Sequence, residues 1–459
     1  MEGVKLVVVG IDGGSFELMD RWLGYLPYLK HVKENGCWAG MRSVLPPVTA
    51  PNWKCYSTGM NPGKTGIFYW ENIIWKQRRV YFANHRNNDQ KEIWNYLGDE
   101  GYKVGVIGIP LTYPPKAVNG FLLAGPPDSP DKGFTYPRGL EQEVRAMSYT
   151  PGFTHSIVTG REKAKVELLG KIRNVFEVAR ELSRGVDFLH VTTFYMNELQ
   201  HYLWDDSYTL EGWKIVDGFV GWVLEQGCNL IVMSDHGSNK IEATFNINTW
   251  LEKLGYLKLR GTTVGLRKVG VTRELGASIL KYPWLVNLAK RVIPNKLYET
   301  VPLDGGNLSL NPKEKAVDWE RSRILASDQG PIYLRDKNDE TLKRELIASL
   351  EALPQIVTKV YRKEELYSGP YLDEAPDLVV DFKPGVHISS GLGLKDVMTN
   401  KTGVWLAENK KTGMFMGLGP NIRTKGKLGN VSILDLAPTI LSLFGINKPS
   451  ELDGKVLDV

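Results

Sequence analysis

Four side chains in this sequence could do chemistry together: Asp12, Thr49, Asp235 and His236. Asp235 and His236 stand in Ser-Asp-His-Gly at 234–237, directly after the apolar run that begins at Leu230, so a carboxylate and an imidazole fall side by side at a strand's C-terminal end. Oxygen and nitrogen donors placed this way suit a hard or borderline divalent metal. Asp12 follows the run Leu6 to Ile11 in the same manner. In open α/β sheets that edge is where ligands bind. Thr49 precedes Ala50, Pro51, Asn52 and Trp53 in a run that closes at Gly59, which reads as a helix with a hydroxyl at its cap, where a phosphate is favoured. Taken singly, each of these residues is ordinarily a cap or a hydrogen-bonded turn. Their joint order carries weight only together with the sequence blocks that flank them. The GIDGG at 10–14 lacks GxGxxG and does not indicate a dinucleotide loop.

Strands that could deliver these residues are Leu6 to Ile11, Val104 to Ile109, Phe188 to Thr193, Leu230 to Ser234, Asp377 to Asp381 and Met414 to Gly417. Helical patterns run from Glu92 to Asp99, Lys165 to Ser183, Leu210 to Gln226, Thr341 to Glu351 and Ile433 to Phe444. Alternation of this kind predicts an α/β fold with a mostly parallel sheet covered on both faces. Thr112 to Pro137, rich in Pro, Gly and Asp, reads as a long surface loop near the catalytic edge. Residues 257–315 break the alternation with basic and apolar helical text, so the expected organisation is a core of 1–256 and 316–459 with an inserted cap between.

The blocks GIDGGSFELMDRWL, LPYLKHVKENG, PPVTAPNWKCYSTGMNPGKTGIF, PLTYPP, SDHG and SILDLAPTILSLFGI resemble the alkaline phosphatase superfamily, and within it the type I phosphodiesterase and nucleotide pyrophosphatase group. Order and spacing agree over most of the chain. The resemblance implies a three-layer α/β/α sandwich and a metal-dependent phosphoric ester hydrolase acting on a phosphorylated small molecule. It also implies two divalent metals, zinc foremost, with manganese or magnesium as alternatives. One metal is expected on Asp12, Asp235, His236 and the Thr49 hydroxyl, with Thr49 forming a phosphothreonine and the Asn52 amide holding a phosphate oxygen.

At the second metal the sequence departs from the family. An aspartate four residues before a histidine becomes Asn197 before His201, and a later histidine becomes Asn409, four residues ahead of Gly413. Neutral amide oxygens bind zinc less well than carboxylate or imidazole, so this site is expected to be weak, vacant or filled by a harder metal. Glu198, Glu408 and His387 are conceivable replacement donors, against the plainer reading of solvated surface glutamates. Two alternatives to a working hydrolase follow: an impaired relative that binds a phosphorylated ligand or partner, for which Thr65 in place of a frequent histidine also speaks, or a phosphotransferase. Nucleotide-cleaving members place an aromatic directly after the nucleophile, and Ala50 stands here. Tyr69, Trp70 and Tyr195 could line a pocket, although packing is the commoner role.

The 459 residues, with 42% hydrophobic content, can bury a large core. A net charge of +5 without a dense basic run excludes a nucleic-acid track. Cys37, Cys55 and Cys228 show no CxxC spacing, so neither a disulfide framework nor a thiolate zinc site is expected. With the first strand starting near Val4 and no apolar run of spanning length, the expected location is the cytoplasm. The amphipathic Ile279 to Ile293 could touch a membrane surface, but a cap helix packed on the core is the simpler reading.

Overall fold

The structure is a computed structural model and describes residues 4–83, 89–155, 157, 160–261, 312–400 and 404–459. Most of the expected cap and the whole of Ile279 to Ile293 lie outside the described residues.

Five parallel strands form the middle of a ten-stranded sheet: β1 (Leu6–Ile11), β2 (Val104–Ile107), β3 (Gly120–Leu123), β4 (Phe188–Thr193) and β5 (Asn229–Met233), in the spatial order β5, β1, β4, β2, β3. β1, β2, β4 and β5 are buried at every residue, which is why they read as continuous apolar runs. Beyond β5 the strand Thr412–Leu418 runs antiparallel to both β5 and Cys37–Arg42, and Thr135–Tyr136 closes the opposite edge against β3.

Helices cover the sheet in two groups. Pro27–Asn35, Arg161–Leu182, α2 (Tyr195–Tyr202) and Ser207–Glu225 pack on one another, and α1 (Thr49–Thr58), Ile93–Asp99 and Leu436–Leu443 form the second group. The three-layer α/β/α arrangement follows. Among the described residues no helix is long and apolar enough to cross a membrane.

Two expectations are corrected. The stretch from Thr112 to Pro137 is no simple surface loop, because it contributes β3 to the central sheet; its Phe121, Leu122 and Leu123 are buried. The strand near Asp377, observed at Leu378–Phe382, belongs to a separate antiparallel sheet with Ile324–Ala326, Pro331–Leu334 and Val357–Arg362. That sheet and the helix Glu340–Glu351 have their own apolar core, to which Phe245, Ile247 and Leu251 contribute. A short apolar run such as Leu378, Val379 and Val380 looks the same in either sheet, so periodicity could not separate them.

Candidate active site

β1 ends at Ile11 and the next residue is Asp12; β5 ends at Met233, two residues before Asp235. Because β1 and β5 pair in parallel, Gly10 opposite Met233, both acids reach the same edge of the sheet. Gly13 makes the turn after Asp12 with φ of 66° and donates its N–H to Asp235 Oδ1 at 3.1 Å. Glycine is required there twice over: the backbone is left-handed, and a Cβ would lie 2.5 Å from Asn197 Oδ1. Ser43 Oγ donates to the Asp235 carbonyl at 2.8 Å, which ties the second acid's loop to the end of Cys37–Arg42.

Thr49 is the first residue of α1 and Val48 is its cap. The expected capping hydroxyl is therefore corrected: Thr49 Oγ1 makes no capping bond and turns to the two strands. It lies 3.2 Å from His236 Nε2 and 3.4 Å from Asp12 Oδ1. A hydroxyl has one proton and can donate to one of them at a time. One turn along α1, the indole N–H of Trp53 donates to Asp12 Oδ2 at 2.7 Å. Gly10 leaves room for this ring, since a Cβ there would stand 2.6 Å from the Trp53 ring edge.

The imidazole of His236 donates from Nδ1 to the Gly237 carbonyl at 3.0 Å, so its Nε2 carries the lone pair. That nitrogen lies 3.2 Å from Asp235 Oδ2 and 3.7 Å from Asp12 Oδ1. Asp235 Oδ2 has no hydrogen-bond partner although it is buried. Burial, followed by repulsion from Asp235, holds the Asp12 carboxyl well above its ordinary range, and burial pushes Asp235 up to about 8. Burial likewise lowers His236, against the pull of Asp12. Three ligand atoms from Asp12, Asp235 and His236 lie within 4.8 Å of one another. An orphaned carboxylate oxygen, a bare imidazole nitrogen and two desolvated acids short of positive charge fit a divalent cation.

Asn52, expected to hold a phosphate oxygen, makes its contacts within the chain at the turn before α1. Its Oδ1 accepts from the Val44 N–H at 2.8 Å and its Nδ2 donates to the Val48 carbonyl at 2.9 Å, so the side chain braces the turn that leads into α1.

The residues expected at a second metal come from two packed elements. β6 (Gly237–Lys240) pairs antiparallel with β7 (Ala407–Lys410), setting Asn409 opposite Ser238, whose hydroxyl donates to the Gly13 carbonyl at 2.7 Å. α2 packs against β7: His201 Nδ1 donates to the Ala407 carbonyl at 2.7 Å, and its ring stacks on Trp405 with 3.8 Å between centroids. Burial pushes His201 down to about 4, so it is neutral at pH 7. Asn197 Oδ1 and Asn409 Oδ1 are both buried without partners.

Among the other candidates, Glu198 is forced up to about 7 by burial alone. Glu408 is bonded to His387, Gln329 and the Asn409 N–H; burial pushes it up, but the adjacent His387 prevails and holds it below the usual range. Trp70 packs against Ala50, Ile67, Ala83 and Leu111, and Tyr195 donates to the Pro151 carbonyl at 3.1 Å, so both are packing residues. Tyr69 is buried. Thr65 closes the short helix Pro62–Thr65 and accepts from the Ile67 N–H at 3.4 Å. Sequence reasoning missed Trp53, Gly13, Ser43 and Gln329. Only Trp53 had a signal, lying four residues after Thr49 on the same helical face.

Comparison with known proteins gives consistent results. The family described as type I phosphodiesterase / nucleotide pyrophosphatase matches residues 6–408. A search of curated protein sequences gives no match. Among solved structures, phosphonoacetate hydrolase from Sinorhizobium meliloti 1021 in complex with phosphonoformate aligns over 96% of this chain and 95% of its own, at 15% identity and a TM-score of 0.60. Murine ectonucleotide pyrophosphatase / phosphodiesterase 5, as an inactive threonine-to-alanine variant in complex with AMP, aligns over 99% of this chain and 97% of its own, at 13% identity and a TM-score of 0.56.

Proposed function

Because the chain belongs to the type I phosphodiesterase / nucleotide pyrophosphatase family of metal-dependent phosphoric ester hydrolases, we propose that it cleaves a phosphoric ester through a covalent phosphothreonine at Thr49. The observation that carries this reading is the convergence of the Thr49 hydroxyl on Asp12 and His236 at 3.4 and 3.2 Å. Asp12, Asp235 and His236 hold the divalent ion, with zinc the best match to two carboxylates and an imidazole. When bound, the ion offsets the buried negative charge and lowers the pKa of the nearby hydroxyl.

Thr49 gives its proton to solvent and its oxygen attacks phosphorus; the bond from phosphorus to the leaving oxygen breaks, and the leaving group departs with a proton from solvent. The N-terminal end of α1 favours the negative charge carried by the phosphoryl group. Trp53 fixes Asp12, Gly13 fixes Asp235, and the Gly237 carbonyl fixes the His236 tautomer. Asn52 serves by bracing the turn before Thr49. Water then attacks the phosphorus held on Thr49, the threonine is restored, and the product leaves as phosphate from a monoester or as a phosphomonoester from a diester.

The second position, built from Asn197, His201 and Asn409, is degenerate in this reading, so release of the phosphoenzyme is slow and an alcohol acceptor can compete with water. A ligand-binding relative without turnover is the second reading, supported by the unpartnered, uncharged oxygens of Asn197 and Asn409. The substrate is a phosphorylated small molecule. Ala50 stands where an aromatic follows the nucleophile in nucleotide-cleaving members, which speaks against a nucleotide preference. The buried free thiols of Cys37, Cys55 and Cys228 support a reducing, cytoplasmic setting. We also retain 257–315 as an inserted cap.

Metal analysis of protein purified without chelator, together with cleavage of bis-p-nitrophenyl phosphate under zinc, manganese or magnesium, tests the proposal. Cleavage that Thr49→Ala abolishes supports it. No cleavage under any of the three metals, with phosphate still bound, selects the binding relative.

A further inference from the structure

Glu408 is a fully buried carboxylate that the proposed chemistry does not use. It adjoins Asn409 in the chain and is electrostatically coupled to His201 and His236. A carboxylate in that place is what a second metal lacks once an aspartate and a histidine have become asparagines.

Its oxygens are nevertheless occupied by other groups. Oε1 accepts from Gln329 Nε2 and, at 2.8 Å, from the Asn409 N–H, while Oε2 accepts from His387 Nδ1. Both side-chain donors come from outside the central sheet. Gln329 sits in the turn between Ile324–Ala326 and Pro331–Leu334, and His387 lies on Val386–Ser389, which pairs with Ala243–Asn246. The two are joined through the backbone, because the Gln329 N–H donates to the carbonyl of Ile388 at 3.0 Å. Gln329 also holds a φ of 61°, a left-handed conformation that costs a non-glycine residue free energy. Among the described residues, the one grouping of three acidic, histidine or cysteine ligands is Asp12, Asp235 and His236. Glu408 belongs to no such grouping.

We propose that Gln329 and His387 withhold Glu408 from the second metal position, so that the chain takes one divalent ion and leaves that position to Asn197, His201 and Asn409. Oε1, with two donors, has no lone pair left for a metal, and the imidazole takes one of the two on Oε2 and fixes the carboxylate's orientation. Released from both, Glu408 supplies the anionic oxygen that the amides lack. The inference rests on the functional reading above for the first metal.

Calorimetric titration of the whole chain with manganese separates the two claims. The parent protein takes up about one equivalent, which Asp235→Asn removes. Gln329→Leu combined with His387→Phe takes up about two, and adding Glu408→Gln returns the count to about one. Should the double variant lose its native near-ultraviolet circular dichroism, Gln329→Met combined with His387→Leu is read against the same criterion. A folded variant that stays at one equivalent overturns the inference, as does a parent protein that takes two and loses one on Glu408→Gln. Absence of the first equivalent counts instead against the proposed function.

Discussion

The indole of Trp53 and the carboxylate of Asp12 are joined by a 2.7 Å hydrogen bond across 41 residues of sequence, one helical turn from the Thr49 hydroxyl. One helix thus carries both the proposed nucleophile and the group that orients an acid of the proposed metal site. Asp12 Oδ2 belongs to Trp53, leaving Oδ1 directed at Thr49 and His236.

Trp53→Phe keeps the aromatic bulk and removes that donor. The expected outcome is a metal affinity about 10- to 100-fold weaker, as for other partners of metal ligands, with the fold retained. Zinc competition against a chromogenic chelator measures it.

The acid pair makes metal binding depend on pH. With Asp235 raised to about 8, a proton competes with the metal at any lower pH, and apparent affinity falls by up to about tenfold per unit as pH drops from about 8 towards 6. For the metal-free chain the sign is opposite. A carboxyl whose folded pKa lies above its unfolded value stabilises the fold at low pH, and that contribution is lost as pH rises from about 4 to about 8. Melting temperatures of chelated and metal-loaded protein across this range check both statements.

Gly13→Ala combines an unfavourable left-handed backbone with a Cβ 2.5 Å from Asn197 Oδ1. Destabilisation of about 1–3 kcal/mol is expected, with weaker metal binding because the Gly13 N–H leaves Asp235. Urea unfolding with and without zinc distinguishes the two effects.

Restoring charge at the second position should restore a second metal. Asn197→Asp with Asn409→His is expected to bind about one further equivalent and to hydrolyse the phosphoenzyme faster. Stopped-flow traces should lose their burst as the second step ceases to limit turnover.

Much of this arrangement was legible in the sequence, for identifiable reasons. β1 and β4 are buried on both faces, so their β-branched runs matched the observed bounds residue for residue, and Asp12, Asp235 and His236 are anchored to such strand ends. Cys37–Arg42 escaped notice because its inward face alternates with exposed Gly40 and Arg42. The bracing role of Asn52 depends on a turn whose path no spacing reveals. The bonds of Gln329 and His387 to Glu408 span 79 and 21 residues between different sheets, and no local pattern encodes them.

The central claim is the covalent phosphothreonine. Acid quenching of the metal-loaded protein during turnover of bis-p-nitrophenyl phosphate, followed by peptide mass spectrometry, reads it directly. The account predicts a peptide whose Thr49 carries a p-nitrophenylphosphoryl group, accumulating in the first turnover and absent in Thr49→Ala. Steady turnover with that peptide unmodified at every quench time would contradict it.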